Sequence, residues 1–400
     1  MSQLNYMDKL LDGVEVEWKA LGKALVRTKG TNITAGRMKE LHKDHAPLKI
    51  FAGGKTVAFV DFKDIPEKNI NREPSIIVKS RGVVEFEYYT DPFSHKNEMW
   101  SYHSKNNNIN IKYVYYYLKT KELYFQGLAS RMQMPQIATP DTDKFQIPIP
   151  PLNIQAEIVR ILDTFTELTA ELTAELVARK QQYIYYRDQL LTFEKGEVEW
   201  KTLGVVSKIQ RGASPRPIAK YVTDDKNSVP WIKIGDTRLG SKYVDNTAQR
   251  ITLEGAEKSR VLKKGSFIMS NSMSYGRPYI LGIEGAIHDG WASISDFETR
   301  LNSDFLYHYL SSGDVKNYWE SKINSSSVSN LNSDIIKALP IPIPSIDEQE
   351  RIASILDKFD TLTTSLTEGL PREIALRQQQ YEYYRELLLS FPKPEVVEHD

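Results

Sequence analysis

The 400-residue chain has no cysteine, which excludes disulfides and thiolate metal sites and fits a reducing, cytoplasmic setting. It has no run of about 18 apolar residues, so no membrane span is expected. The opening Met1-Ser2-Gln3-Leu4-Asn5-Tyr6-Met7-Asp8 has no basic region followed by an apolar core and does not read as a secretory signal. An excess of either charge is missing too, because 52 Lys and Arg balance 52 Asp and Glu. Duplex DNA binding draws much of its affinity from neutralised phosphates, so zero net charge leaves two readings of any such protein open. Either its positive charge is local and offset by acidic helices, or partners supply much of the phosphate contact. What remains is a soluble composition, 40% hydrophobic and 26% charged, too long for one ordinary core and comfortable for two domains.

Complete catalytic motifs are also missing. Ala52-Gly53-Gly54-Lys55-Thr56 resembles the end of a phosphate-binding loop, but the pattern needs glycine at position 49, which is Lys49. Asp91-Pro92-Phe93 lacks one proline of an amino-methyltransferase motif, and no glycine-rich cofactor loop accompanies it. His42 and His45 have nothing nearby to complete a metal-ligand set. Asp141 and Asp143 are nuclease-like letters at the wrong spacing. Lys121-Glu122-Leu123-Tyr124-Phe125-Gln126-Gly127 looks like a protease-tag site but lies inside a domain and reads as native sequence. No catalytic residue, metal site or bound cofactor is expected in this chain.

What the sequence does contain is a repeat of itself. Residues 14–22, VEVEWKALG, return at 196–204 as GEVEWKTLG. Residues 147–162, IPIPPLNIQAEIVRIL, return at 341–356 as IPIPSIDEQERIASIL. Residues 179–193, RKQQYIYYRDQLLTF, return at 377–391 as RQQQYEYYRELLLSF. Between these anchors, 23–140 and 205–335 share only a faint pattern, such as KYVYYYL at 112–118 against DFLYHYL at 304–310. A constant frame around two divergent inserts points to one scaffold presenting two different specificities.

Each frame segment opens on a proline-rich extended stretch, after which Asn153 and Asp347 are placed to cap helices. The first helix is expected over about 154–192, with Ile158, Leu162, Phe165, Leu172, Leu176 and Tyr183 on its apolar stripe. Such a helix extends roughly 55–60 Å and calls for a helical partner. The second copy starts alike, with Ile352, Leu356, Phe359 and Leu366, and later Tyr384. Gly369-Leu370-Pro371 must break or kink it, with helix resuming near Arg372. The two frame helices are expected to pair antiparallel. Residues 169–176 form a tandem, TAELTAEL, that reads equally as a length-setting unit or as a surface of good helix formers.

The divergent segments read as α+β, with strands near 56–62, 75–79 and 83–89 and again at 230–234, 266–269 and 279–283. Helices are expected at 303–312 and 330–338. Their loops hold residue types suited to base edges and phosphates. Arg211 and Arg216 flank a Gly/Pro-shaped loop, and Asn271, Ser272 and Arg277 lie in SNSMSYGR. Lys233 sits in the strand-like PWIKI, Ser326 in a serine run, and Lys79 and Arg81 in the matching post-strand position of the first segment. Any one of these is most simply a solvated loop residue; the clusters carry the argument.

Together, the EVEWK starts, the IPIP-x-x-x-x-Q segments, the TAEL tandem and the QQQYEYYR-type ends resemble the specificity subunit of type I restriction–modification systems. The TAEL tandem and the ending LTEGLPREIALRQQQYEYYRELLLSFPKPE are similar to its IC subfamily. The resemblance spans essentially the whole chain. It implies two globular target-recognition domains joined by two long antiparallel coiled-coil helices, a pseudo-twofold repeat. The segments would be 1–150 and 195–344 for recognition, 151–194 for the central spacer helix, 345–392 for a distal helical region and 393–400 for a tail. It implies that each recognition domain reads half of a bipartite double-stranded DNA target, and that the helices set the gap and dock two modification subunits. Those subunits would carry S-adenosylmethionine and methylate adenine at N6, and two restriction subunits would use ATP and Mg. On the residues alone, a non-enzymatic coiled-coil adaptor joining two protein-binding domains stays open.

Overall fold

A computed structural model describes residues 13–105, 108–129, 135–194, 196–238, 240–271, 276–324, 330–365 and 367–392. The chain forms two compact units. One joins Met1–Ala170 to Leu376–Asp400, and the other is the continuous stretch Glu171–Ala375. The first boundary falls inside the TAEL tandem.

The first unit contains strands β1 (Glu17–Ala20), β2 (Leu25–Thr28), β3 (Leu48–Phe51), β4 (Val57–Val60), β5 (Ser75–Lys79), β6 (Glu85–Tyr89), β7 (Phe93–His95), β8 (Trp100–Ser104) and β9 (Gln146–Ile149). One sheet has the order β2-β8-β5-β6 and is antiparallel throughout; a second has the order β4-β3-β7, with β3 and β7 parallel. β5 is apolar on both faces because both are covered. Ile76 and Val78 enter the main core, and Ile77 points the other way into a smaller cluster with Phe51, Phe93 and Met99. The tag-like stretch at 121–127 is structural: Phe125 is fully buried, and the Glu122 carboxylate accepts the Phe86 amide at 2.8 Å.

The second unit contains β10 (Glu199–Thr202), β11 (Lys208–Arg211), β12 (Val222–Thr223), β13 (Val229–Ile232), β14 (Tyr243–Val244), β15 (Gln249–Ile251), β16 (Arg260–Leu262), β17 (Phe267–Ser270), β18 (Pro278–Leu281), β19 (Gly285–Ile287), β20 (Trp291–Ser295) and β21 (Pro340–Ile343). Its sheets run β11-β20-β17-β18-β14 and β12-β15-β13-β19-β16. The order β11-β20-β17-β18 repeats β2-β8-β5-β6, and the parallel pair β13/β19 repeats β3/β7. The divergent inserts therefore share a sheet core that their sequences barely show.

The repeated motifs pair with each other. β1 runs antiparallel to β9 with Trp18 opposite Pro148, and β10 runs antiparallel to β21 with Trp200 opposite Pro342. The EVEWK and IPIP signatures are thus two strands of one ribbon, made twice.

The helices that matter here are α1 (Ile111–Lys119), α2 (Leu152–Leu190), α3 (Ser303–Leu310), α4 (Ile346–Thr364) and α5 (Gly369–Leu388). α2 is one continuous helix of 39 residues. Its partner is two helices, as the glycine and proline required, but the break precedes Gly369 instead of following it. Gly369 has φ +77°, and a Cβ there would lie 2.6 Å from the Thr361 carbonyl oxygen, so only glycine fits. Pro371 is accommodated in the first turn of α5, where its missing N–H costs nothing. The capping assignments also need correction. α2 starts at Leu152, so Asn153 lies within its first turn, and α4 is capped by Ser345, whose hydroxyl accepts the Glu348 amide at 3.3 Å.

Candidate nucleic-acid interface

The constant frame grips each recognition domain through the same two residues. Gln155, fully buried in the first unit, donates to the carbonyls of Pro150 (2.7 Å) and Asn108 (3.3 Å) and accepts the Asn110 amide (2.8 Å). Gln349, fully buried in the second, donates to Pro344 (2.9 Å) and Arg300 (3.0 Å) and accepts the Asn302 amide (2.7 Å). Asn110 and Asn302 in turn cap α1 and α3 with their side chains. The glutamine of IPIP-x-x-x-x-Q is therefore a staple between frame and insert. Gln349→Ala removes the partner of three main-chain groups, one buried at Pro344 and two part-buried at Arg300 and Asn302, and is expected to cost about 2–3 kcal/mol, since each stranded group costs roughly 1–3 kcal/mol and such penalties are not additive. Calorimetry of the variant checks this, and an unshifted transition would refute the staple.

The second grip is an aspartate. Asp163 of α2 accepts Lys112 Nζ at 2.7 Å and the Tyr116 hydroxyl at 2.5 Å. Its counterpart Asp357 of α4 bonds Lys242 Nζ at 2.7 Å and His308 Nε2 at 2.8 Å. In the matched heptapeptides His308 replaces Tyr116, and Asp304 replaces Lys112. That reversal of charge is compensated by Lys242, which bridges Asp304 (2.7 Å) and Asp357. Burial pushes the Asp357 carboxyl up, but His308 and Lys242 hold it below its ordinary value.

The frame aromatics repeat as well. In the first unit Phe165 stacks on Tyr384 with centroids 5.2 Å apart; in the second, Phe359 stacks on Tyr186 at 5.6 Å and also meets Tyr183 at 6.4 Å. Each pair joins the early half of one frame segment to the late half of the other, as an antiparallel arrangement requires. Ile158, Leu162, Ile352 and Leu356 are buried within their own units, so they fix the frame and are out of reach of a partner. Leu172 and Leu176 are half-buried in the TAEL tandem.

Above the second frame, one residue gathers the loops. The main-chain oxygen of Asp289, between β19 and β20, accepts Arg211 Nε (3.1 Å) and Asn271 Nδ2 (3.2 Å). Its carboxylate accepts the Ser214 hydroxyl (2.8 Å) and lies 3.0 Å from His288 Nε2 and 3.6 Å from Arg216. Burial pushes this carboxyl up, yet Ser214, His288 and Arg211 bring it below its ordinary value. The loops meet this closely because of Gly212, where a Cβ would lie 2.1 Å from the His288 carbonyl oxygen. The first unit has the same crossing: a Cβ on Gly30 would lie 2.4 Å from the Lys96 carbonyl oxygen.

Of the predicted contacts, Arg211, Arg216 and Asn271 come together at Asp289, a residue the sequence did not single out. Lys233 is one residue past β13, whose end pairs with Ile287, and its ammonium donates to Gln249 at 2.8 Å. Arg277 stands apart from this cluster, its guanidinium 5.3 Å from the Tyr279 ring centroid. Arg81 is exposed at the end of a bridge to Gln136. Lys79 is different: it is tied to Glu87 at 2.8 Å and Glu85 at 3.3 Å, so its charge is compensated inside the sheet. Burial pulls its ammonium down, but those two carboxylates hold it above its ordinary value. Ser272, Ser326 and Leu366 lie outside the described residues. Among the described residues no group of three or more His, Asp or Glu could hold a metal ion, and no helix is long and apolar enough to cross a membrane.

Fold and site together define a scaffold that presents two unlike loop sets on one duplicated frame. The model for the type I restriction modification DNA specificity domain matches residues 33–179 and again 195–376. The chain belongs to the family of type I restriction–modification DNA specificity subunits, which are non-catalytic. It is 37% identical to the type I restriction enzyme EcoR124I/EcoR124II specificity subunit of Escherichia coli, over 99% of this chain and 100% of that one. It is 30% identical to the Escherichia coli EcoprrI specificity subunit over 92% and 93% of the two chains. The S subunit of the type I system from M. genitalium shares the fold, with TM-score 0.59 at 15% identity over 96% of this chain and 98% of that one.

Proposed function

We propose that each unit reads one half of a bipartite, asymmetric DNA target, and that the frame sets the gap between the halves. The observation that carries this is the repeated grip by the same two frame residue types, Gln155 with Asp163 and Gln349 with Asp357, beneath loop sets that differ. Constant sockets under variable loops suit a subunit whose specificity is exchanged while its assembly is kept. In the second unit Arg211, Arg216 and Asn271 have the donors and acceptors that discriminate guanine and adenine in the major groove, with Lys233 just after β13 and Arg277 just before β18. In the first unit Arg81 is the exposed candidate.

The frame also offers surface for partners. Val177, Ile184 and Tyr185 are exposed on the second unit, and Leu376 and Tyr383 on the first. Exposed aromatic and aliphatic side chains of this kind suit docking of two modification subunits. By this reading the chain binds no cofactor. S-adenosylmethionine belongs to the modification subunits, and ATP with Mg to two restriction subunits.

Methylome sequencing of cells expressing the chain with its modification subunit tests the reading. A single bipartite methylated-adenine motif is expected, and exchange of residues 205–335 for those of a relative should alter one half only. No motif, or changes in both halves, would overturn it.

A further inference from the structure

We infer that Asp289 is a positioning and specificity-determining residue: it holds Arg211, Asn271 and Ser214 in reading geometry while its carboxylate subtracts charge from the DNA-facing loops. This rests on the proposal that these loops face DNA. Three contacts to its main chain or carboxylate fix donors from two separate segments: Arg211 at 3.1 Å and Ser214 at 2.8 Å from the end of β11 and the loop after it, and Asn271 at 3.2 Å from the segment after β17. A second bond, from the Asp289 amide to Ser214 Oγ at 3.2 Å, locks the hydroxyl in place. Arg216, by contrast, is 84% exposed and held only loosely at 3.6 Å, so it can leave the carboxylate for a phosphate or a base.

The sign of the charge is what makes the residue informative. An anion within reach of a phosphate backbone weakens binding to every sequence equally. A fully cationic loop set gains affinity mainly through sequence-independent counterion release. A carboxylate that partly neutralises the arginines lowers that shared contribution and leaves the directional contacts to base edges. Specificity is the difference of the two affinities, so it rises as non-specific affinity falls. The arrangement also bears on the absence of net positive charge in the chain.

The first unit has its own version. Glu98, just before β8, bonds Lys96 at 2.8 Å, and its main-chain oxygen accepts the Ser80 hydroxyl. Burial pushes its carboxyl up, but Lys96 and the nearby Arg81 bring it below its ordinary value. A carboxylate on the connection leading into the last sheet strand thus sits beside cations in both units.

The test uses the full chain assembled with its modification subunits. Duplex binding is titrated against salt, on target and random DNA, alongside the methylome. Asp289→Asn should tighten binding to random duplex about tenfold near physiological salt. It should steepen the salt slope by about 0.9, one extra phosphate's worth. Relaxed methylation is expected in one half-site only, and Glu98→Gln should relax the other. Ser214→Ala removes a donor but no charge, so it should relax the same half-site as Asp289→Asn without changing the slope. If Arg211→Ala/Arg216→Ala weakens binding while Asp289→Asn leaves slope and half-site unchanged, Asp289 is merely structural and the inference fails. If the double arginine variant binds DNA like the parent, the loops do not face DNA, and the proposed function of this surface fails with it.

Discussion

Removal of one Thr-Ala-Glu-Leu unit from residues 169–176 should abolish methylation at the parent target and create a new target with the same two half-sites and a different gap. Four residues of helix carry about 6 Å of rise, while one base pair carries about 3.4 Å, so the gap should change by about one to two base pairs. The same four residues leave a twist of roughly 40° beyond a full turn, close to one base-pair step of about 35°. The tandem is the place for such a change because the boundary between the compact units falls within it, at Ala170. Nothing in either core is removed. Methylome sequencing decides the matter: an altered half-site, or an unchanged gap, would end the idea that the helix measures distance.

Asp357→Ala should destabilise the second unit by about 2–4 kcal/mol, because it strands the His308 ring nitrogen and leaves Lys242 with Asp304 alone. His308 is fully buried and the Lys242 side chain is only 11% exposed. Asp163→Ala should cost less, about 1–2 kcal/mol, since Lys112 is 32% exposed and water can solvate it. The effect depends on pH. The folded Asp357 carboxyl lies below its ordinary value, so its contribution is present above the unfolded value near 4 and lost as pH falls through the folded one. Parent and Asp357→Ala should therefore differ most at neutral pH and converge as pH falls through the lowered folded value. Thermal denaturation at neutral and acid pH checks this; a constant difference across the range would mean that packing, not charge, is what the aspartate supplies.

How much of this could be read in advance varies from element to element. The frame was legible because it occurs twice: EVEWK and IPIP repeat as a pair because they are the two strands of one ribbon. The shared sheet order of the inserts was not. Its strands are mostly three to five residues long, and those such as Ile76-Ile77-Val78 are buried on both faces, which erases the alternation that marks a strand. Lys79 reads as a post-strand residue but closes β5, and the sequence holds a signal of this. Lys79 stands opposite Glu85 across the β5–β6 hairpin, with Glu87 next on the same face. Asp289 left no trace, because a lone acidic residue between a histidine and a glycine looks like any loop until the other loops are seen to converge on it. The reversal that puts Asp304 where the first unit has Lys112 was likewise invisible without Lys242, 62 residues away in sequence.

The way the units divide the chain also has a consequence for biosynthesis. Glu171–Ala375 is one uninterrupted stretch, whereas the other unit joins two segments that flank it, Met1–Ala170 and Leu376–Asp400. The first recognition domain leaves the ribosome first, but Leu388, Leu389 and Phe391, which complete its core, follow only after Glu171–Ala375. At about 5–20 residues per second, the earlier-made half waits on the order of 10–40 s without Phe391, whose ring meets Tyr113 at 6.3 Å in the finished core. The order of completion is thus the reverse of the order of synthesis. During that interval a nascent chain exposes an apolar strip that invites a chaperone, a second nascent chain or a waiting partner subunit.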